Sequence, residues 1–187
     1  VSKALKNQAL SNINKNSVEI RPSVPSNQSR LPLIGRSAVM QDVYRIMARL
    51  MGTDLGVLIS GSSGTGKELV ATALHEFGQR KEKPFVKVNI ATVPEDLVEV
   101  ELFGKEPSVD LDVDVVGKFE QAEGGTIFID EVSDLSLVAQ SRLLSILQTG
   151  EFTRVGGHKT IKTDVRILAS TNQDLRELIN EGNFRED

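Results

Sequence analysis

The chain has 187 residues, of which 39% are hydrophobic, which is enough for one globular domain with some flanking sequence. A formal net charge of −4 excludes an overall basic surface for nucleic acid, so any contact with DNA would need residues elsewhere. The absence of cysteine excludes disulfides and thiolate metal sites. No apolar run approaches the roughly 18 residues of a membrane span, so we expect no membrane partner and a cytoplasmic location.

The N-terminal part of the chain predicts a flanking segment before the main domain. Residues 1–16 have apolar side chains at roughly helical spacing, which indicates either the end of an amphipathic helix or a frayed helical tail. Residues 17–30 are rich in proline, serine and asparagine, a composition typical of a linker, so the main domain would cover residues 31–187. Because the chain begins at Val1 and ends in a charged stretch, we expect an excerpt of a longer protein.

The main domain should open with a helix and a short strand. Ser37 predicts the N-cap of a helix that runs to about Met51. The expected core face of this helix consists of Val39, Val43, Ile46, Met47 and Leu50. The apolar run at residues 55–60 is too short for a helix and predicts a buried strand. A glycine-rich turn that ends in Lys67 follows this strand, and a helix should then continue to about Phe77.

Strand, glycine-rich turn and helix in this order give the context of a phosphate-binding loop. Glycine permits positive φ and close approach of the backbone to an anion, while Lys67 and the helix N-terminus supply positive charge. The spacing fits the Walker A pattern except at Glu68, where a serine or threonine normally reaches Mg²⁺. The alternative is a glycine-rich turn with a chance lysine. The candidate phosphate-binding residues are Gly61, Ser62, Ser63, Gly64, Thr65, Gly66, Lys67 and Glu68.

The remaining chain alternates predicted strands and helices. Strands are predicted at residues 85–90, 126–131 and 165–169, helices at 94–102, 118–123, 137–148 and 174–179, and a hairpin at 151–162. In the helix at 137–148, the side chains expected to point inward are Leu143, Leu144, Ile146 and Leu147.

Residues 104–117 alternate apolar and acidic side chains, which permits a strand, but their turn-forming residues lead us to interpret them as a surface loop. Gly156 and Gly157 indicate a tight hairpin turn. We interpret His158 as solvated and His75 as isolated, without a metal-spaced cluster.

Polar residues stand at the ends of three predicted strands. Asp130 and Glu131 end an apolar strand, and in P-loop enzymes such a strand lies beside the P-loop strand. The first carboxylate then reaches the Mg²⁺ shell and the second orients or deprotonates water, whereas the alternative is an acidic pair without such a role. Asn89 could cap a turn or have a function. The strand end at Ser170, Thr171 and Asn172 could be turn chemistry or part of a ligand site.

Several stretches together resemble one protein family. They are GSSGTGKE at residues 61–68, ELFG at 101–104, GKFEQAEGGTIFIDE at 117–131, the FTRVGG hairpin and the closing GNFRED. This set resembles the central AAA+ ATPase domain of bacterial enhancer-binding proteins, the sigma-54-dependent transcription activators of the NtrC type. The resemblance covers residues 31–187 and implies an α/β fold, a P-loop AAA+ αβα sandwich with a central parallel sheet whose helical lid lies beyond the chain. Glu68 then fits, because members of this family typically carry glutamate at this position.

The resemblance implies ATP and Mg²⁺ as cofactors. The P-loop residues would bind the ATP phosphates, and Ile34 and Gly35 resemble the segment that lines the adenine pocket. Asp130 would hold Mg²⁺, partly through water, and Glu131 would complete the Walker B pair.

Other matched positions imply how ATP hydrolysis is controlled. Asn89 matches the residue that holds the catalytic glutamate in an inactive orientation until the nucleotide state changes. Thr171 and Asn172 match the sensor of the γ-phosphate. Arg185 matches the first of two arginines that reach the nucleotide of a neighbouring subunit, which implies a ring, a hexamer in this family. Such an arginine accelerates phosphoryl transfer by roughly 10³ to 10⁵ in other NTPases.

The resemblance also implies partners outside the chain. Residues 1–16 resemble the exit from a receiver domain, which would connect the protein to a sensor kinase. A helix-turn-helix module for DNA is expected downstream, as are the lid and the second arginine. We therefore expect the chain by itself to hydrolyse ATP weakly.

The chain departs from the family at one segment. Members usually carry a GAFTGA loop that engages the sigma factor, whereas residues 105–116 read KEPSVDLDVDVV. The leading hypothesis is an ATP-hydrolysing transcription regulator that remodels sigma-54 RNA polymerase. The alternative is a nucleotide-controlled, DNA-binding response regulator that acts without sigma-54, because the aromatic residue and the threonine of the GAFTGA loop are missing. A P-loop enzyme with a small-molecule substrate is a third class, which no other motif supports.

Overall fold

The computed structural model describes residues 37–107 and 114–187. The predictions for residues 1–16 and 17–30, for Ile34 and Gly35, and for the middle of the 105–116 segment lie outside the described residues.

Strands and helices alternate along the described residues. The helices are α1 Ala38–Met51, α2 Lys67–Glu76, α3 Val98–Phe103, α4 Lys118–Gln121, α5 Leu137–Thr149 and α6 Leu175–Asn180. The strands are β1 Val57–Ser60, β2 Phe85–Asn89, β3 Thr126–Asp130, β4 Glu151–Thr153, β5 Thr160–Lys162 and β6 Arg166–Thr171. Short 3₁₀ turns lie at Ile90–Thr92, Glu95–Leu97 and Val132–Asp134. The single helix predicted at residues 94–102 is therefore a 3₁₀ turn followed by the shorter α3.

A four-stranded sheet with the order β1, β6, β3, β2 lies at the centre of the domain. All neighbouring strands in this sheet are parallel, so their carboxyl ends meet at one edge. Each connection between these strands includes a helix, as parallel pairing requires. The predicted α/β fold with a central parallel sheet is confirmed.

Helices cover both faces of the sheet, and its central strands β3 and β6 alternate their apolar side chains between two cores. In β3, Ile127 and Ile129 belong to a core that also contains residues of α3, α4 and α5. Phe128, between them, belongs to a second core with Met47 of α1 and Leu74 of α2. Strands buried on both faces are typical of parallel sheets. The predicted αβα sandwich is therefore confirmed.

Helix α1 begins as predicted and packs through a face that shares Val43, Met47 and Leu50 with the predicted one. The Ser37 Oγ atom accepts a hydrogen bond of 3.3 Å from the Met40 N–H, which confirms the N-cap. Met47 is 2% exposed, but Val39 is 72% exposed and Ile46 is 56% exposed, so the prediction that both lie in the core is wrong. The buried face lies further round the helix, where the partly buried side chains are Val43, Tyr44, Leu50 and Met51.

The predicted inward face of α5 also needs one correction. Leu143 and Ile146 are buried, whereas Leu147 is 57% exposed. The spacing of apolar residues predicts that a helix has an apolar face, but how far that face extends around the helix depends on the neighbouring elements that pack against it.

The hairpin predicted at residues 151–162 is confirmed, since β4 and β5 pair in antiparallel register. Residues 154–159 connect them, so the connection is longer than the tight turn that the paired glycines indicated. Gly156 has a φ of +76°, whereas Gly157 does not have a positive φ.

The hairpin holds both ends of the 105–116 segment. Lys105 forms a bridge with Val115 and a second bridge with Val155 in the hairpin connection. Arg154 donates hydrogen bonds of 2.8 and 2.7 Å to the two carboxylate oxygens of Glu120 on α4, and it also pairs with Asp114. These hydrogen bonds raise the pKa of Arg154. The segment, the hairpin and α4 are thus joined at one place.

A buried arginine joins the sheet to two helices. Arg166, the first residue of β6, is 3% exposed. Its guanidinium donates hydrogen bonds of 3.0, 3.2 and 3.4 Å to the carbonyl oxygens of Leu50, Leu55 and Leu74. Burial lowers the pKa of Arg166. Leu50 and Leu74 lie near the C-terminal ends of α1 and α2, where partial negative charge favours a cation.

His75 lies in the same region and makes contacts that the sequence did not indicate. Its side chain is 5% exposed, its Nδ1 atom lies 3.0 Å from the Thr126 hydroxyl, and its ring stacks on Phe85 with centroids 4.6 Å apart. Burial is the main cause that lowers its pKa below the ordinary value of 6.5. His158, by contrast, is exposed, as predicted.

None of the helices within residues 37–107 and 114–187 combines the length and the apolar character needed to cross a membrane.

We expect the free energy of unfolding to fall as pH decreases from about 7.5 to about 5.5. Because the pKa of His75 is lower in the folded state, the unfolded chain binds more protons in this range, so stability rises with pH. The measurement is urea unfolding at a series of pH values. His75→Gln should flatten the profile, whereas His158→Gln, at the exposed histidine, should leave it unchanged. Parallel profiles for wild type and His75→Gln would contradict this expectation.

Candidate nucleotide-binding site

The glycine-rich loop joins β1 to α2 at the carboxyl edge of the sheet. Gly64 has a φ of +77° and Gly66 a φ of +89°, a region that glycine adopts without steric cost. The Thr65 hydroxyl donates a hydrogen bond of 2.8 Å to the Ser62 carbonyl and closes the turn. Gly66 is the N-cap of α2 and supplies no side-chain cap, so the first N–H groups of the helix are left for another acceptor. The loop is therefore suited to bind an anion.

Lys67 follows the loop as the first residue of α2 and is only 8% exposed. Its ammonium donates hydrogen bonds of 2.9 Å to the Gly61 carbonyl and 3.4 Å to the Ser62 carbonyl. The same Nζ atom lies 3.5 Å from the Glu131 Oε1 atom. The lysine thus joins the phosphate-binding loop to the acidic end of β3.

Asp130 is the last residue of β3, and both of its carboxylate oxygens have protein donors. The Asn89 Nδ2 atom donates a hydrogen bond of 3.1 Å to the Oδ2 atom. The Ser170 hydroxyl donates to the Oδ1 atom. These donors come from the two strands that flank β3, so the sheet itself orients the carboxylate.

Glu131 follows directly in a left-handed backbone conformation with a φ of 58°, unique among the non-glycine residues of the described ranges. Such a conformation costs about 1 to 3 kcal/mol and persists where surrounding contacts determine it. The Glu131 N–H lies 3.4 Å from the Ser170 hydroxyl, and its Oε2 atom accepts a hydrogen bond of 2.9 Å from the Asn172 N–H. This turn directs the side chain toward Lys67.

The position of Asn89 differs from the expectation that it holds the catalytic glutamate. Its side chain contacts Asp130 rather than Glu131. The reason is the register of β2 and β3, which places Asn89 directly opposite Asp130, while the left-handed turn carries Glu131 away toward Asn172.

The predicted sensor residues lie between the P-loop and Glu131. Thr171 is fully buried at the end of β6, and its carbonyl accepts a hydrogen bond of 3.2 Å from the Gly61 N–H. Its hydroxyl accepts a hydrogen bond of 3.1 Å from the Gln173 N–H, so it caps the turn that follows. Asn172 is exposed and contacts Glu131 through its backbone. The structure thus brings these residues together with the loop and the acidic pair.

Sequence reasoning missed Lys87, and it named Ser170 only as part of a polar strand end, without its partners. Lys87 pairs with Glu68 at 2.8 Å, and Ser170 contacts both Asp130 and Glu131. Lys87 lies two positions before Asn89 on the same face of β2, and this alternation could have indicated it.

Arg185 does not lie at the loop of its own chain. Its guanidinium donates hydrogen bonds of 2.8 and 2.6 Å to the Asp187 carboxylate and one of 3.2 Å to the Ser141 hydroxyl on α5. The contact with Asp187 raises the pKa of Arg185. The Arg185 backbone N–H donates a hydrogen bond of 2.9 Å to the Gln140 Oε1 atom, which holds the C-terminal residues against α5.

The acidic pair is suited to Mg²⁺ bound together with a phosphate. The described residues contain no group of three or more His, Cys, Asp or Glu that could hold a metal by themselves. Mg²⁺ in phosphate sites is usually held by one or two carboxylates together with phosphate oxygens and water. Asp130 and Glu131 line one cleft with Gly64, Lys67 and Glu68, so carboxylates and anion-binding groups face the same space.

The sequence also matches known proteins. A family model described as the Sigma-54 interaction domain matches residues 33–187. The DNA-binding transcriptional regulator NtrC of Rhizobium meliloti (strain 1021) is 55% identical over 171 residues, covering 89% of this chain and 35% of that protein. The NtrC protein of Bradyrhizobium sp. (strain RP501 Parasponia) is 59% identical over 159 residues, covering 84% of this chain and 33% of that protein. The chain thus spans about a third of the length of these curated relatives.

The chain is also similar to a solved structure. A crystal structure of NtrX from Brucella abortus in complex with ATP matches with a TM-score of 0.78 and 38% identity, covering 100% of this chain and 37% of that one. Since the family model matches residues 33–187, most of the sequence, this chain belongs to the sigma-54 interaction domain family.

Proposed function

We propose that this chain binds ATP with Mg²⁺ and hydrolyses it to drive a sigma-54-dependent transcription activator. The observation that carries the proposal is the position of Lys67, whose ammonium lies 2.9 Å from the Gly61 carbonyl and 3.5 Å from the Glu131 carboxylate. The Lys67 ammonium thus contacts both the loop that would bind phosphates and the carboxylate that would act on water.

Binding of the phosphates would use the free N–H groups of the loop and of the first turn of α2. Lys67 would neutralise the β- and γ-phosphates, and the γ-phosphate would compete with Glu131 for its ammonium. The contact between Lys67 and Glu131 would then loosen and free the Glu131 carboxylate. Asp130 would hold Mg²⁺, which when bound supplies charge stabilisation for the phosphoryl group.

Hydrolysis would depend on Glu131 as the group that orients or deprotonates the attacking water. The Asn172 N–H, 2.9 Å from its Oε2 atom, would fix the carboxylate and would move with any shift of the Thr171 turn. Asn89 would influence the reaction through Asp130, its hydrogen-bond partner at 3.1 Å. These contacts support a sensing role for Thr171 and Asn172 and a controlling role for Asn89.

Arg185 supports assembly of several copies. Its guanidinium contacts Ser141 and Asp187 rather than the loop of its own chain. We propose that it reaches the nucleotide of a neighbouring subunit in a ring, a hexamer by family resemblance.

The proposal extends to the partners of the whole protein. The NtrC relatives are named DNA-binding transcriptional regulators, and the chain covers 35% of one of them. We therefore assign DNA binding and signal reception from a sensor kinase to other domains, and we assign a cytoplasmic location, where RNA polymerase acts. Residues 1–16 would connect to the receiver domain, residues 17–30 would be the linker, and residues 31–187 would be the ATPase domain.

One observation favours a second function without sigma-54. Residues 105–116 read KEPSVDLDVDVV, which lacks the aromatic residue and the threonine of the GAFTGA loop. In this case nucleotide binding would control assembly on DNA.

We expect Lys67→Ala to weaken ATP binding by about 10- to 150-fold, because it removes hydrogen bonds from a charged group worth about 1.5 to 3 kcal/mol. Glu131→Gln should keep ATP affinity within about threefold and lower turnover by about 10² to 10⁴, the range of a general base. Calorimetry measures the ATP affinity and phosphate release measures the turnover, both in this chain and in a longer native polypeptide that contains it. Lys159→Ala, on the exposed hairpin connection, is the matched control and should change neither. Undiminished turnover in Glu131→Gln would refute the role of Glu131.

We expect mixtures of Arg185→Ala and Glu131→Gln subunits to recover ATP turnover that neither has alone. An Arg185→Ala subunit keeps an intact Glu131, and its Glu131→Gln neighbour supplies the arginine at roughly a quarter of the interfaces in a randomly mixed ring. Mixing Lys67→Ala with Glu131→Gln is the control, because it leaves every site defective. If the first mixture were also inactive, Arg185 would not act between subunits.

We expect immobilised protein to capture sigma-54 RNA polymerase in the presence of a transition-state analogue of ATP. Lys67→Ala should capture none, since it should not bind the analogue. If the wild type binds the analogue but captures no polymerase, the sigma-54 function is wrong and the second function is supported.

A further inference from the structure

Ser170 is a fully buried polar residue that follows three apolar residues in β6. It is 0% exposed, and Ile167, Leu168 and Ala169 come directly before it in β6. A buried hydroxyl is costly unless it has hydrogen-bond partners. The Ser170 hydroxyl donates to the Asp130 Oδ1 atom, and its oxygen lies 3.4 Å from the Glu131 N–H. One side chain therefore contacts both acidic residues of the site.

Ser170 completes the set of donors around Asp130. The Asn89 amide binds the Oδ2 atom at 3.1 Å from β2, and the Ser170 hydroxyl binds the Oδ1 atom from β6. A carboxylate held at both oxygens cannot rotate freely about its terminal bond. Each oxygen has a second lone pair, which can accept a contact from the cleft that Asp130 lines with Lys67.

Ser170 also supports the unusual backbone of Glu131. The left-handed conformation, with a φ of 58°, needs fixed contacts on both sides to persist. The Ser170 hydroxyl meets the Glu131 N–H, and the Asn172 N–H holds the Glu131 side chain at 2.9 Å. Loss of the hydroxyl would leave the N–H without this partner.

We propose that Ser170 is a positioning residue that orients Asp130 toward the Mg²⁺–nucleotide complex and holds the turn at Glu131. The proposal rests on the proposed function of the same site. Serine differs from alanine only by the hydroxyl, so Ser170→Ala removes both contacts and leaves the packing in place. Partners that orient a metal ligand typically change metal affinity by about 10- to 100-fold when removed.

The test measures the gain in affinity for a non-hydrolysable ATP analogue when Mg²⁺ replaces EDTA, by calorimetry. Ser170→Ala should lower this gain by about tenfold and leave affinity in EDTA within about twofold of wild type. Thr126→Val is the matched control, because it removes another hydroxyl that is 0% exposed, at the opposite end of the sheet. It should leave the gain unchanged even where its melting temperature falls.

The outcomes separate Ser170 from the proposed function. A wild-type protein that binds no analogue, or gains no affinity from Mg²⁺, would overturn the proposed function. A wild type that gains affinity, together with a folded Ser170→Ala variant that gains as much, would overturn only the role of Ser170. Ser170→Cys keeps the shape and offers a weaker donor, so it should also lose part of the gain, and a full gain would count against the proposal.

Discussion

The arrangement of the site depends on the register of three neighbouring parallel strands. Asn89 lies directly opposite Asp130, and Ile129 lies opposite Ala169, so Ser170 comes next to Asp130 at the strand ends. Side chains alternate between the two faces of a sheet, so a slip of one residue would turn each of these groups to the other face. Strands β3 and β6 are buried on both faces, which makes such a slip costly. The amide, the hydroxyl and the carboxylate meet because the apolar cores fix this register.

At the opposite end of the sheet, a buried arginine fixes the positions of two helices relative to the strands. Arg166 begins β6 and donates to the carbonyls of Leu50 and Leu74 near the ends of α1 and α2. A buried cation needs acceptors on several sides, so its three carbonyl contacts restrict where both helices can lie. Because α2 begins at Lys67, this helix couples the position of the phosphate-binding loop to that of Arg166 at the other end of the sheet.

Local signals in the sequence were sufficient for the elements and for the loop, but not for the pairs formed across strands. The glycines of the loop permitted positive φ, which Gly64 and Gly66 adopt, and the family resemblance implied the sandwich. The partner of Asn89 depends on register, which no single segment contains. The contact of Ser170 with Asp130 depends on the neighbouring strand β3, so the sequence of β6 alone does not predict it. The exposure of Val39 depends on which side of α1 meets its neighbours.

The bridges of Lys105 to Val115 and Val155 have an evolutionary consequence. The two ends of the 105–116 segment are joined to each other and to the hairpin, so the entropy of closing this loop depends on its length and only weakly on its residues. The segment can therefore diverge in sequence without altering the register of the parallel strands. A segment grafted from another relative is expected to leave the same sheet intact.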